Sequence, residues 1–385
     1  MSRLARAVCF ASLALATVAA TGCGGTGNEA TEDDAVNGSA AINVSRPPQF
    51  VILAFDGSYS LPFWRESRAF AQANNNLKFT YFISGVYFIP NNKKSGYIAP
   101  HGLGAGKSAI GWGGTEAEIQ ERYQELKLAA AEGHEIGSHA NGHFDGSRWT
   151  EEDWNSEFAQ FDKIIFQGVG TTAPDLGFGP RDSVGFRAPQ LGHSPGLFRV
   201  LPVFKYTYDT SKSDAPNYWP KKIENAYWNM PLARLRIVGS GKATLSMDYN
   251  FYVADSRGEP NAANKELYKK QMIDTYMQYF EGNYFGNRAP LHIGHHFSKW
   301  NGGAYWEAMQ TFARRVCGLP EVKCVTYKEL VSFLEEKKDE IPDYQAGNFT
   351  KLPRPPGSEA PAALDVPGED EIVPDSEHAH DERGE

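Results

Sequence analysis

His139 and His143 are four positions apart in the segment Gly-Ser-His-Ala-Asn-Gly-His-Phe-Asp at residues 137–145. This spacing brings two imidazoles together on one side of a helical turn, where both could bind one divalent metal ion. The spacing alone is a weak indication, because histidines in a globular chain more often serve as hydrogen-bonded packing residues. The position of the pair, directly after a short apolar segment, favours the metal-binding interpretation.

Other polar side chains also follow short apolar segments. Asp56, Arg187 and Asp209 each come directly after several residues of strand character. Polar side chains that could take part in chemistry therefore occur repeatedly at the ends of predicted strands. In an α/β protein the C-terminal ends of parallel strands meet on one side of the sheet, which is where ligands bind.

The segments between these residues predict alternating helices and strands. Residues 50–55 and 79–83 are apolar on both faces, as buried parallel strands are. Thr115 can cap a helix that runs through Ala131, and Thr150 can cap a second helix. Further segments of strand character lie near Val184, Tyr206, Leu245, His292 and Val325. Repeated β-α units that close on themselves predict a barrel with its active site at the C-terminal ends of the strands.

Taken in order along the chain, these motifs resemble those of the polysaccharide deacetylases of the NodB-homology class, carbohydrate esterase family 4. The order is an aspartate after a strand, a His-x-x-x-His pair, an Arg-x-Pro motif that begins at Arg187, and a histidine on a late strand. The resemblance spans nearly the whole folded part and implies a distorted (β/α) barrel with about seven strands. The segments most similar to the chitin-deacetylase-like branch are residues 185–189, 208–211, 219–220, 246–248 and 287–290.

The resemblance implies a role for each matching residue. Asp56 would be the general base that activates a water molecule. Arg187 would orient this base through a charge-assisted hydrogen bond, with Asp209 as its further partner. His139 and His143 would hold a divalent metal ion, usually zinc in the family, which polarises the acetyl carbonyl.

The general acid implied by the resemblance is a histidine in residues 290–296, where the sequence offers neighbours. Successive residues of a strand point to opposite faces, so only one of His295 and His296 can face the pocket. The apolar-x-x-His pattern of the family matches Ile293 to His296. We therefore expect His296 to protonate the departing amine and keep His295 as the alternative.

The chain departs from the family pattern at Gly57. The family has a second aspartate there, which is the third protein ligand of the metal, and glycine offers no side chain. Asp145 and Asp248 are the candidate replacement ligands. Two histidines completed by water and a borrowed carboxylate predict weak metal binding. Catalysis without tightly bound metal, or a barrel that binds sugar without turnover, are the other interpretations.

The N-terminus predicts export. Two arginines precede an apolar run at residues 7–20, which is too short to span a bilayer comfortably, so residues 1–22 are predicted to be a signal peptide. The sequence Ala-Thr-Gly-Cys ending at Cys23 resembles a bacterial lipobox, which implies lipidation of Cys23 and anchoring in a membrane of the cell envelope. Simple secretion is the alternative. Residues 23–46 lack periodicity and are predicted to be a flexible tether.

The remaining cysteines agree with export. Cys317 and Cys324 are the only cysteines after Cys23. A pair seven residues apart in an exported protein predicts a disulfide. Two unpaired buried thiols are the alternative.

The acidity of the chain is concentrated near its C-terminus. Residues 351–385 contain three basic and ten acidic residues and carry −7 of the formal net charge of −9. Residues 343–385 are therefore predicted to be a disordered acidic tail, and residues 47–342 one large domain. The nearly neutral domain has no basic stripe for nucleic acid, and nothing after Cys23 is apolar for long enough to cross a membrane. We expect a monomer that contacts the membrane through its lipid anchor only.

Together these features predict an exported hydrolase that removes N-acetyl, or O-acetyl, groups from a polysaccharide such as a chitin-like or peptidoglycan glycan. Two alternatives stay open. One is a metal-independent hydrolase of a small non-peptide amide, and the other is a carbohydrate-binding lipoprotein without catalytic activity.

Overall fold

The computed structural model of the protein describes residues 44–75, 77–356 and 365–372. The predicted signal peptide at residues 1–22, the lipidation site Cys23 and the tether up to residue 43 lie outside the described residues. The strands are β1 (Gln49–Gly57), β2 (Phe79–Ile83), β3 (Ile98–Ala99), β4 (Gly104–Ala105), β5 (Glu135–Ser138), β6 (Gly185–Phe186), β7 (Tyr208–Asp209), β8 (Ser213–Asp214), β9 (Lys221–Ile223), β10 (Tyr227–Asn229), β11 (Leu232–Arg236), β12 (Ala243–Leu245), β13 (Leu291–His296) and β14 (Val322–Cys324).

The α-helices follow the strands in the alternation that the sequence predicts. They are α1 (Leu61–Ala73), α2 (Glu116–Ala131), α3 (Glu151–Asp162), α4 (Pro195–Val200), α5 (Asp248–Ser256), α6 (Lys265–Tyr284), α7 (Trp300–Val316), α8 (Tyr327–Glu336) and α9 (Ile341–Ala346). Thr115 and Thr150 cap α2 and α3, each with a reciprocal capping box, as predicted. Within the described part of the chain, no helix is both long and apolar enough to span a bilayer.

The main sheet has the strand order β13-β1-β2-β5-β6-β7-β10-β9. The first seven strands of this path are parallel, and β9 adds an antiparallel edge. β14 pairs with the beginning of β1. The predicted fold class, a distorted (β/α) barrel with about seven strands, is confirmed.

A smaller sheet of β8, β11 and β12 lies between the two edges of the parallel strands. β8 follows β7 closely in the chain, and Met247, just beyond β12, forms a parallel bridge with Gly294 of β13. The smaller sheet therefore links the end of β7 to β13 and completes the irregular side of the barrel.

β1 is buried along its whole length and contributes side chains to two core clusters. Leu53 and Phe55 pack into the larger cluster with α1 and α7, whereas Ile52 and Ala54 face a smaller cluster. That smaller cluster takes side chains from β1, from β2 and from β7 and β10 farther along the sheet, so it fills the concave face. Asp56 continues the Ile52 and Ala54 series and therefore lies at the C-terminal end of the same inner face.

The folded domain is longer than the predicted range of residues 47–342. At its beginning, Arg46 forms an ion pair with Glu321 at 2.6 Å, although it was assigned to the tether. Beyond residue 342, Tyr344 and Phe349 are buried because they complete the smaller core cluster. Residues 365–372, predicted to be disordered, pack against β11 through ion pairs that are described below.

A disulfide joins Cys317, at the end of α7, to Cys324 in β14. β14 pairs with the beginning of β1, so the bond connects an outer helix to the central strand of the sheet. By loop-closure reasoning, a loop this short contributes roughly 2–3 kcal/mol to the free energy of unfolding.

Candidate active site

The centre of the site is an ion pair between Asp56 and Arg187 in the barrel interior. Arg187 Nη1 donates to Asp56 Oδ1 at 2.8 Å, and both side chains are almost wholly inaccessible to solvent. β1 supplies Asp56, and the residue after β6 supplies Arg187, so two strand ends meet here as the sequence predicts. A buried charge requires a partner, and each residue provides the other's.

Arg187 is further held by uncharged groups. Its Nη2 donates to Thr210 Oγ1 and to the Tyr327 hydroxyl, both at 3.3 Å, and its guanidinium lies 4.7 Å from the centre of the Phe82 ring. Burial acts to lower the pKa of Arg187, but Asp56 together with the nearby Tyr327 and Tyr208 outweighs it and raises the pKa above its usual value. Arg187 is therefore a permanent cation that fixes the orientation of Asp56.

Asp209 does not take the predicted place as a partner of Arg187. Its carboxylate instead accepts hydrogen bonds from the backbone N–H and the hydroxyl of Ser211, at 3.1 and 2.6 Å. Asp56 and Asp209 lie at the ends of β1 and β7, but the guanidinium of Arg187 extends toward β1. Burial raises the pKa of Asp209, and the hydrogen bonds from Ser211 and the nearby charges of His193 and Lys212 offset this only in part.

His139 and His143 lie close together, but not on a helical turn. They occupy a loop after β5 in which Ala140 and His143 have left-handed backbone conformations, with φ of 53° and 56°. The two ring centres are 5.2 Å apart. The expected convergence of the imidazoles therefore arises from loop geometry, and the helical explanation of the spacing is wrong.

The ring of His139 is oriented for a role as ligand. Its Nδ1 lies 2.8 Å from the backbone carbonyl oxygen of Arg187 and must donate, because a carbonyl only accepts. This places the ring proton on Nδ1, the usual tautomer of a histidine that binds metal through Nε2. The backbone carbonyl of His143 accepts a hydrogen bond from Gln190 Nε2 at 3.0 Å, which fixes the far side of the loop.

The chemistry of the two histidines suits a divalent metal ion such as zinc, but neither candidate carboxylate joins them. Asp145 is exposed and binds the backbone and hydroxyl of Ser147, and Asp248 is occupied by the late histidines. Across the described ranges, no cluster of three His, Cys, Asp or Glu side chains could hold a metal ion. The histidine pair therefore fits a weak site completed by non-protein ligands.

The backbone at Gly57 explains why no aspartate occupies this position. Its φ is 99°, a value that glycine adopts freely and an L-residue adopts with strain. The end of β1 is thus built around glycine, so substitution of aspartate here would require a change in the backbone.

His296 is on the same side of the sheet as Asp56, because the two residues are register partners on parallel strands. His295 is the partner of Phe55 and lies on the opposite face, 3.4 Å from the Tyr276 hydroxyl. Asp248 Oδ1 is 2.7 Å from His296 Nδ1, and its other oxygen accepts from the His296 backbone N–H. His296 is therefore the late histidine that borders the barrel interior.

Asp248 connects this part of the site to α5. Burial acts to raise the pKa of its carboxyl, but the charges of His296 and His295 outweigh it, so the pKa lies below the usual range. The carboxylate of Asp248 lies 2.7 Å from His296 Nδ1 and 3.4 Å from His295 Nδ1. The residue is an electrostatic partner of histidines in this structure, and its predicted role as a metal ligand is not supported by its contacts.

Sequence reasoning missed Glu157, which supports the histidine loop from below. Its buried carboxylate accepts from the Asn141 backbone N–H at 2.8 Å and from the Tyr97 hydroxyl at 3.0 Å. Asn141 Nδ2 in turn donates to the backbone carbonyl of Glu157. The available signal was its position between Trp154 and Phe158 on the apolar side of α3.

Glu157→Gln should flatten the pH dependence of stability. Burial raises the pKa of Glu157 to about 7, so the folded protein holds a proton that the unfolded chain releases at lower pH. Stability of the wild type should therefore decline as pH rises from about 5 to 8, by up to about 3 kcal/mol. Urea unfolding across this range tests the prediction, with Glu152→Gln on the exposed side of α3 as the control. Equal slopes in the wild type and Glu157→Gln would contradict it.

A cleft of about 480 Å³ lies next to the candidate site residues. Its lining includes residues next to the motifs, among them Gln190, Ser211 and Met247, but not Asp56, His139 or His296 themselves. The chemistry-bearing residues therefore lie to one side of the cleft, and the cleft is the space adjacent to them in which a larger ligand could lie.

Comparison with known proteins shows that the fold of this chain is similar to that of several solved structures. No family model and no curated relative matches the chain. Among solved structures, a protein assigned as a polysaccharide deacetylase from Mycobacterium smegmatis is similar with a TM-score of 0.49 and 12% identity, over 81% of this chain and 99% of that chain. A peptidoglycan deacetylase from Bacillus subtilis gives a TM-score of 0.40 and 14% identity, over 78% and 99%.

A third similar structure is a pseudoenzyme of carbohydrate esterase family 4 from Bacillus anthracis, with a TM-score of 0.39 and 9% identity, over 74% of this chain and 66% of that chain. At these identities the likeness concerns the fold alone. It is a likeness to the family that the sequence motifs resemble.

Proposed function

We propose that the protein is a deacetylase that hydrolyses acetyl groups from an extracytoplasmic polysaccharide. The observation that supports this most strongly is the connection of three functional groups through one residue. Arg187 pairs with Asp56 through its side chain and holds His139 through its backbone carbonyl, while Asp56 is in register with His296. These contacts support the proposal that Asp56 acts as base, His139 as a metal ligand and His296 as acid.

In the proposed reaction Asp56 accepts a proton from the water molecule that attacks the acetyl carbonyl. Arg187 orients Asp56 and balances its charge throughout. A divalent metal bound by His139 and His143 would supply polarisation of that carbonyl. His296 then donates a proton to the departing nitrogen, or oxygen, as the carbon–nitrogen or carbon–oxygen bond breaks and acetate is released.

The acid and the base remain separate because their partners have opposite charges. Asp56 faces a cation, which suits a group that starts ionised and gains a proton. His296 faces the anionic Asp248, which suits a group that starts protonated and loses a proton. This division matches the order of proton transfers in amide hydrolysis.

The proposed substrate is an N-acetylated glycan, such as a chitin-like chain or the glycan of peptidoglycan. The predicted signal and lipidation at Cys23 would place the protein in the bacterial cell envelope, as a monomer anchored by lipid or as a secreted protein. An acetylated chain outside the cytoplasm is a substrate that such a protein can reach.

The second candidate function is carbohydrate binding without turnover. It is favoured by the lack of a carboxylate at Gly57 and by the absence, among described residues, of a three-residue metal cluster. The metal-independent hydrolysis of a small amide is the third candidate, since Asp56, Arg187 and His296 could act without a metal.

Acetate release from a panel of acetylated glycans distinguishes these functions. We expect release from N-acetylglucosamine oligomers, with partial loss after chelation and recovery on addition of zinc. Release that chelation leaves unchanged would favour metal-independent hydrolysis. Glycan binding with no release from any substrate would favour the binding protein, and release from small amides alone would exclude the glycan.

A further inference from the structure

The cleft beside the site has a wall that comes from the acidic C-terminus. Glu369 and Ile372 line it together with Gln190, Met247 and Asn250. We refer to residues 365–372 as the C-terminal strap. Ile372 also packs against the larger core cluster, so the strap is seated on the domain by an apolar contact as well as by charge.

Two arginines on β11 hold the strap. Arg236 Nε donates to Asp365 at 2.6 Å, and its Nη2 donates to Glu371 at 2.9 Å. Arg234 lies 3.7 Å from Glu369. One exposed ion pair contributes little, but contacts at both ends of an eight-residue segment determine where it lies.

The strap changes the electrostatic character of the cleft. Apart from the strap, the charged residues of the lining are Asp145 and Lys212, which offset each other, together with His193. Glu369 adds a solvent-exposed carboxylate to the lining, whereas its partner Arg234, 3.7 Å away, is largely buried and is not part of the lining. An anionic ligand in the cleft would be repelled at this wall, and an uncharged or cationic ligand would not.

We propose that the C-terminal strap forms part of the glycan-binding cleft and makes it select uncharged or amino-sugar chains over chains that carry carboxylates. This inference rests on the proposed function, because it takes the ligand of the cleft to be a glycan. Selection against carboxylated chains narrows the proposed substrates to chitin-like chains. The residue that determines the selection is Glu369, and Arg236 positions it.

The test compares the binding of two oligomers by calorimetry with the full chain. One is an uncharged N-acetylglucosamine hexamer, and the other is a hyaluronan hexamer, which alternates N-acetylglucosamine with a carboxylated sugar. Glu369→Gln should strengthen binding of the carboxylated oligomer roughly two- to five-fold at low salt and leave the uncharged oligomer unchanged. This gain should disappear at high salt, because the repulsion is screened.

Two further variants make the result specific. Arg236→Gln should also reduce the preference for the uncharged oligomer, because it releases the strap. Glu336→Gln removes the same charge from the exposed side of α8, outside the cleft lining, and should change neither affinity. Equal effects of Glu369→Gln and Glu336→Gln, or equal effects on both oligomers, would overturn the proposal.

Failure of this proposal and failure of the proposed function give different results. If Glu369→Gln shifts the preference while no acetate is released, the cleft assignment stands and the enzymatic function fails. If acetate is released but the preference is insensitive to Glu369, the strap has no such role. Binding of neither oligomer overturns the assignment of the cleft to a glycan.

Discussion

Asp56→Asn should lower kcat/KM for acetate release by about 10³-fold or more. An amide cannot accept the proton of the attacking water, and loss of a positioned general base costs about 10²–10⁴-fold. The change also replaces the carboxylate that pairs with the buried Arg187, so stabilisation of the developing charge would lose its fixed geometry. Initial rates of acetate release with an N-acetylglucosamine oligomer provide the measurement.

The free energy of unfolding of Asp56→Asn must be measured alongside its activity. Breaking a buried ion pair leaves one uncompensated charge and typically costs about 3–5 kcal/mol. Circular dichroism and urea unfolding show whether the loss of activity occurs in a folded protein. Asp175→Asn is the matched control, since Asp175 is exposed, pairs with Lys127 and lies outside the cleft lining, and it should retain nearly full activity. Comparable rates for Asp56→Asn and the wild type would exclude Asp56 as the base.

The order of the motifs was sufficient to predict the fold and to place Asp56 and Arg187 at neighbouring strand ends. Apolar segments followed by Asp56 and Arg187 indicated strand ends, and parallel strand ends must meet in a barrel. The same reasoning added Asp209 as a further partner of Arg187, but only the pairing with Asp56 is observed among the described residues. That pairing depends on the direction in which a long guanidinium crosses the barrel interior, and no local pattern encodes this direction.

The histidine loop shows a different limit. The spacing of His139 and His143 was informative, but their rings converge through left-handed residues in a loop. Such conformations are imposed by contacts from elsewhere, here by Glu157 on α3 and Gln190 after β6. Contacts between segments far apart in sequence are not visible in a short motif.

The sequence predicts disorder for residues 343–385, whereas residues 365–372 form ion pairs with β11. High acidity and many prolines predict disorder when the segment is considered alone. The charge of residues 365–372 is partly offset by Arg234 and Arg236, which lie two residues apart on β11 and point to the same side. Composition within one segment cannot reveal counter-charges in another.

Asp248→Asn should lower kcat for acetate release by about 10²-fold and move the alkaline limb of the pH–rate profile to lower pH. The neutral amide would no longer stabilise the protonated form of His296, which must supply the proton to the departing group. Less of the enzyme would then be in the active protonation state near neutral pH. A pH series of single-substrate kinetics measures both effects.

The same experiment resolves which late histidine acts. His296→Gln should cause a loss of at least the same size as Asp248→Asn, because His296 is on the Asp56 side of the sheet. His295→Gln should keep most activity, since His295 lies among Phe55 and Tyr276 on the outer face of β13. If the large loss follows His295 instead, the acid is reassigned. If Asp248→Asn changes the rate without moving the pH profile, Asp248 maintains structure and does not tune the proton donor.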